Sequence, residues 1–150
     1  MSSASNAGDS DAEGAALVPR ALVAGHGEFA IGIVSAVEQI TGRGGVLVAL
    51  TNRGLGADEI VRTLRDAVVS AGAHVIFTDL PAGSWTIAAR RVQRDRPDVV
   101  VVTGANLPAL LDFVFQTHCT NDEAARHSAD KGRGAMVVLG SSGGSAGGAD

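Results

Sequence analysis

The chain is predicted to fold as a doubly wound α/β sandwich with a mainly parallel sheet, on three observations. Short β-rich runs alternate with helix-patterned stretches over about 120 residues, the alternation that builds parallel strands through right-handed crossovers. Hydrophobic residues make up 45% of the sequence, yet it holds only four Phe, one Trp and no Tyr. A core built from Val, Ala, Leu and Ile suits strands buried on both faces beneath helices. Glycine contributes 20 of the 150 residues, and several fall where a strand or helix should stop.

In chain order, Ala21–Gly25 is a short apolar strand ending on glycine. From Phe29 to about Thr41, Phe29, Ile33, Val37 and Ile40 recur at helical spacing, and Gly42 follows as a stop. Val46–Leu50 is the second strand. A helix over Asp58 to about Ala71 turns Ile60, Val61, Leu64 and Val68 inward and closes at Gly72. His74–Thr78 is the third strand and Ser84–Arg94 the third helix. Asp98–Thr103 is the most apolar strand and is expected to be central, buried on both faces. A helix from Asn106 to about Gln116 tolerates Pro108 in its first turn. Asp122–Lys131 reads as another helix, and Ala135–Leu139 as a last short strand.

This length accommodates one domain comfortably. Residues 1–17 and 141–150 are small, polar and Gly/Ser-rich, too poor in apolar surface to order themselves, and are expected to be disordered tails. The net charge is −4, but Asp9, Asp11, Glu13 and Asp150 lie in those tails, leaving twelve acids against twelve Lys and Arg in residues 18–140. A neutral body carries no basic footprint for nucleic acid. Cys119 is the only cysteine, so no intramolecular disulfide can form, and it is read as structural. No apolar run approaches the roughly 20 residues that span a bilayer. The acidic start lacks the form of a secretory signal. A cytoplasmic protein that meets membranes only through a partner is the expectation.

In an open α/β sheet, ligands bind beyond the carboxyl ends of the strands, where strand order reverses. With an order beginning 2-1-3, that point lies between the first strand, ending in Gly25-His26-Gly27, and the third, ending in Asp79. His26 and Asp79 should face each other across it. An imidazole with one free nitrogen and a fixed tautomer is a good phosphoryl acceptor, and a carboxylate on the other nitrogen fixes it. Helices beginning after His26 and near Ser84 would point backbone N–H groups at a transferred phosphate, and Gly25, Gly27 and Gly83 let backbone approach. The pattern Gly25-His26-Gly27 with Gly32 also mimics a dinucleotide fingerprint, but the second strand ends in Leu50-Thr51-Asn52 with no acid to hold a ribose. His74, His118 and His127 are expected on the surface, the last two in polar helical stretches. The chemistry calls for no cofactor and no metal.

Three segments carry a family resemblance. Leu22–Gly32 (LVAGHGEFAIG), Phe77-Thr78-Asp79-Leu80 before Gly83-Ser84, and Thr103–Leu111 (TGANLPALL) together resemble the mannose-type enzyme IIA domain of the bacterial phosphoenolpyruvate-dependent sugar phosphotransferase system. The resemblance covers roughly residues 20–140, and implies a IIA domain over 18–140 with strand order 2-1-3-4. It implies that His26 takes a phosphoryl group on Nε2 from the histidine-containing phosphocarrier protein and passes it to a IIB domain for coupled sugar uptake and phosphorylation. Asp79 would orient the ring, while Gly27, Gly83 and Ser84 would hold the phosphate. The membrane components IIC and IID would be reached only indirectly. Family members are homodimers that exchange a C-terminal strand, for which Ala135–Leu139 is the candidate.

The second segment departs from the family pattern at Ala82 and Trp85, where Gly and Pro are usual. Ala82 is expected to hinder a positive φ, Pro81 to remove an N–H donor, and Trp85 to stand at the mouth of the site. Two alternatives stay open: the phosphotransfer subunit of a dihydroxyacetone kinase, which shares the fold and the histidine, and a regulatory or binding module that has lost turnover.

Overall fold

The computed structural model describes residues 17–141, and its four strands all lie in apolar runs. They are β1 (Ala21–Gly25), β2 (Leu47–Thr51), β3 (Val75–Thr78) and β4 (Val100–Val102), paired in parallel in the order β2-β1-β3-β4. The helices are α1 (Phe29–Thr41), α2 (Ala57–Ala71), α3 (Ser84–Asp95), α4 (Leu107–Phe113) and α5 (Asn121–Ala135). A 3₁₀ turn, Gly44–Val46, leads into β2. The architecture is the expected α/β sandwich with its expected strand order.

Side-chain alternation splits the core into two layers. Ala21 and Val23 of β1, with Val75 and Phe77 of β3, face α1, α4 and α5 through Ala30, Val37, Leu110, Phe113, Ala124 and Ala125. Leu22, Ala24 and Ile76 face α2 and α3 through Ile60, Leu64, Val68, Ala88, Ala89 and Val92. The two central strands are therefore apolar along their whole length, which is why they read as continuous runs. Phe77 and Phe113 meet edge to face at 5.1 Å, tying β3 to α4.

Several expectations need correction. β4 is the edge strand of the described sheet and is only half-buried, where the sequence suggested a central strand buried on both faces. Its outer neighbour is missing because Ala135–Leu139 is not a strand: α5 continues to Ala135, and Met136–Leu139 follow as an apolar segment 66–89% exposed. Those residues favour a strand, but among the described residues they pair with none, and an unpaired strand is not stable. Ile40 points outward, 61% exposed, because the inward stripe of α1 runs through Ala30, Ile33, Val34 and Val37. α4 stops at Phe113 rather than near Gln116, so His118 lies in the loop before α5, and Cys119 beside it is exposed. Leu17 packs on the first layer; the tail residues 1–16 and 142–150 lie outside the described residues.

The Asn-Leu-Pro segment has a clear structural task. Asn106 caps α4, its Oδ1 accepting the Ala109 N–H at 3.1 Å, while its Nδ2 donates to the Gly132 carbonyl of α5 at 2.9 Å. The helices can approach this closely only because Gly132 has no side chain: a Cβ there would lie 2.7 Å from Asn106 Oδ1 and 2.9 Å from Ala109 Cβ. Gly134, in the same helix, has open space around it. Replacing a helical glycine by alanine ordinarily stabilises by up to about 1 kcal/mol. Gly134→Ala should follow that rule. Gly132→Ala should reverse it, with overpacking costing about 1–3 kcal/mol. Urea unfolding of the two variants checks the opposite signs.

Candidate functional site

The chain leaves β1 for β2 on one side and returns to β3 on the other, so the order reverses between β1 and β3. Their register pairs Ala24 with Thr78, and the Asp79 N–H donates to the Ala24 carbonyl at 3.2 Å, carrying the ladder one residue beyond β3. His26 and Asp79 therefore emerge opposite one another at the carboxyl edge. The turn after β3 is anchored from below. The buried hydroxyls of Thr78 and Thr86 lie 2.7 Å apart, and Thr86 Oγ1 donates to the Leu80 carbonyl at 2.6 Å. Asp79 is thus held by β1 on one side and by α3 on the other.

One oxygen of that carboxylate does two things. Asp79 Oδ2 accepts the His26 backbone N–H at 2.8 Å and lies 2.8 Å from His26 Nδ1. The backbone bond orients the carboxylate, and an anionic acceptor beside Nδ1 favours the ring tautomer that carries its proton there. In that tautomer Nε2 is the nitrogen with the free lone pair. The ring is half exposed while the carboxylate is mostly covered, so a partner can reach the nitrogen without competing for the acid.

Ser84 Oγ stands 3.5 Å from Nε2, at the first residue of α3. The N-cap is Gly83, which has no side chain to engage the orphan N–H groups of the first turn, leaving those donors for an anion. Gly83 has φ +125°, a region closed to other L-residues, and a Cβ there would reach 3.7 Å from His26 Cε1. Gly27 shapes the loop that carries the ring, and its carbonyl accepts Thr51 Oγ1 at 3.0 Å. Gly25 lets Phe29 fold back on the strand end, where a Cβ would lie 2.5 Å from the Phe29 ring.

Two concerns raised by the sequence disappear. No non-glycine among the described residues has a positive φ, so the unusual backbone falls on Gly83 and Ala82 sits harmlessly at the surface. Trp85 is not at the mouth of the site. It is 1% exposed and joins Ala88, Ala89 and Val92 in the inward stripe of α3, because its position in the first turn faces the sheet.

Sequence reasoning gave the residues after β2 no place beside the site. Asn52 Nδ2 lies 3.5 Å from Ser84 Oγ, and Arg53 ion-pairs with Glu28, two residues beyond His26. The signal lies in the strand order, since the carboxyl end of β2 borders the same crevice. Two other His–Asp pairs exist: His74 with Asp98 and His127 with Asp112, each at 2.7 Å. The hydrogen bond from His74 holds the Asp98 carboxyl below its usual range. His74 lies at the amino ends of the strands and His127 midway along α5, so neither ring faces a helix N-terminus at the crevice. A His–Asp pair alone does not single out His26; its place at the reversal point beside α3 does.

A profile of the PTS system fructose IIA component family, the mannose-type enzyme IIA family, matches residues 20–129. The chain belongs to this IIA family. Its fold is similar to that of phosphotransferase system component EIIA from Streptococcus agalactiae, with a TM-score of 0.73 and 21% identity over 81% of this chain and 97% of that one. It is also similar to the mannose/sorbose-specific IIA subunit from Enterococcus faecalis, with a TM-score of 0.71 and 21% identity over 83% of this chain and 96% of that one. A third similar structure is the PTS IIA protein associated with the fucose utilization operon from Streptococcus pneumoniae, at a TM-score of 0.61 and 21% identity, covering 81% of this chain and 93% of that one. No curated protein matches the sequence significantly. Membership in the IIA family carries a role in phosphotransfer. Among the described residues no helix is long and apolar enough to cross a membrane.

Proposed function

We propose that residues 18–140 form a IIA domain that works as a histidine phosphocarrier. The Nε2 lone pair of His26 attacks the phosphoryl group on the histidine-containing phosphocarrier protein, forming one N–P bond as the donor's N–P bond breaks. A IIB domain then takes the group from His26 by the same exchange, and IIC and IID are reached only through IIB, during coupled sugar uptake and phosphorylation at the cytoplasmic face. The observation that carries this reading is the 2.8 Å contact of Asp79 Oδ2 with Nδ1, which leaves Nε2 facing Ser84 and the start of α3.

The same contact accounts for transfer in both directions. When Nε2 forms its bond while Nδ1 keeps its proton, the ring gains positive charge, and the Asp79 carboxylate beside it compensates that charge. A phosphorylated imidazolium is a good phosphoryl donor, because neutral imidazole is the group that leaves when the N–P bond breaks, so the acceptor is not a dead end. Ser84 Oγ and the first N–H groups of α3 meet the phosphoryl oxygens, with Gly27 and Gly83 admitting backbone close to the ring. The reacting groups are two imidazoles, a carboxylate and backbone donors, and no cofactor enters the steps.

The test is incubation of the chain with phosphoenolpyruvate, enzyme I and the phosphocarrier protein. Label that is acid-labile and base-stable should appear on the wild type and vanish in His26→Ala, and Asp79→Ala should slow labelling about a hundredfold. Label persisting in His26→Ala would overturn the assignment, and an unlabelled wild type would favour a binding module.

The exposed Met136–Leu139 segment supports a homodimer. β4 has an unpaired outer edge among the described residues, beside a groove of about 680 Å³ lined by Val100–Val102, Ala125, Ala129 and Met136. The segment from a second copy would pair with that edge and cover its own exposed apolar side chains at once. Sedimentation velocity should show a dimer for the wild type and a monomer for Val138→Asp. A wild-type monomer at micromolar concentration would contradict this arrangement.

A further inference from the structure

A donor from outside the His26–Asp79 pair reaches Ser84, whose hydroxyl stands beside Nε2. Asn52, half-buried in the turn between β2 and α2, places its Nδ2 3.5 Å from Ser84 Oγ, and that oxygen is itself 3.5 Å from His26 Nε2. We propose that Asn52 is a phosphoryl-binding residue of this site, its side-chain amide donating to an oxygen of the group carried on His26. The inference rests on the phosphocarrier reading of His26 and adds a third protein segment to the site.

The turn is built to hold that side chain still. On one side of Asn52, Thr51 Oγ1 donates to the Gly27 carbonyl at 3.0 Å; on the other, Arg53 pairs with Glu28. Both bridges run to the loop that bears His26. The Leu55 N–H closes the turn on the Asn52 carbonyl at 3.0 Å, and Leu55 packs on the α2/α3 layer. A turn fixed at four points loses little further entropy when its side chain engages a ligand. An asparagine placed only to start a helix would spend its side chain on that helix. Here α2 is capped at Gly56, where Glu59 Oε1 accepts the Gly56 N–H at 3.0 Å, and among the described residues the Asn52 amide has no partner but Ser84.

The donor count explains what the amide adds. A phosphoryl group presents three acceptor oxygens, and the Ser84 hydroxyl supplies one proton. The amide has two N–H donors. Directing one at Ser84 Oγ turns the hydroxyl proton away from Asn52 and toward the phosphoryl group, and the second N–H is left for a phosphoryl oxygen. Both 3.5 Å separations are long for direct hydrogen bonds, which leaves room for an oxygen among Nε2, Ser84 and Asn52. The nearby acids do not oppose an anion there, because Asp79 is engaged by His26 and Glu28 by Arg53.

The test compares wild type, Asn52→Ala and Asn52→Asp, each phosphorylated with phosphoenolpyruvate, enzyme I and the phosphocarrier protein. Phosphorylation level and the phosphorus NMR titration of the bound group are read, with backbone amide spectra reporting the fold. Asn52→Asp, nearly isosteric but without donors, should lower the phosphorylated fraction about tenfold or more and move the phosphoryl ionisation to higher pH. Asn52→Ala should lie between it and the wild type. Variants that match the wild type in both readouts would overturn the role of Asn52 and leave the phosphocarrier reading intact. An unlabelled wild type would overturn that reading and this inference with it.

Discussion

A carboxylate that accepts both the backbone and the ring of one histidine can sit in only one place, and much of the molecule is arranged around that place. Asp79 Oδ2 reaches the His26 N–H and Nδ1 together, at 2.8 Å each. Neither residue could be held there by a flexible loop. The parallel register of β1 and β3 brings them out side by side, and the Asp79 N–H on the Ala24 carbonyl extends that register to the residue that matters. A one-residue slip would move His26 away from the acid and turn the apolar residues of β1 to the wrong layers.

The remaining parts of the site are consequences of that fixed pair. Once the ring is oriented, its free nitrogen faces whatever the next elements provide. α3 provides a helix start without a side-chain cap, entered through a glycine at φ +125°. Thr86, in the same turn of α3, holds the Leu80 carbonyl and so ties the donor-rich helix to the carboxylate it serves. β2 supplies Asn52 from the opposite flank. Three strand ends thus border one crevice, as the switch point of an open α/β sheet allows. The His74–Asp98 and His127–Asp112 pairs show the limit of the argument from two residues alone: the same contact elsewhere in the fold is only a surface hydrogen bond.

The two central strands and the amphipathic α2 were legible because their patterns report burial, which is local and periodic. The pairing of His26 with Asp79 was legible because strand order could be guessed and strand ends converge where it reverses. What escaped depended on contacts that no period encodes. Trp85 looked like a mouth residue because its neighbours in sequence are, yet one step of about 100° around the helix carries it from the crevice to the core. Ala82 looked obstructive because the strained backbone could not be assigned between it and Gly83. Ala135–Leu139 has the composition of a strand, but a strand needs a neighbour, and among the described residues the segment pairs with none. Asn106 announced a helix start; its second bond, to Gly132, joins residues far apart in sequence and appeared only in the fold.

The central claim is that Asp79 keeps the proton of the neutral ring on Nδ1 and leaves Nε2 bare. Nitrogen NMR of the side chain of His26 in the unphosphorylated protein, above the pH where the ring loses its charge, measures this directly. The wild type should show a protonated Nδ1 and an unprotonated Nε2, with the two forms mixing in Asp79→Ala. A wild-type ring carrying its proton mainly on Nε2 would contradict it.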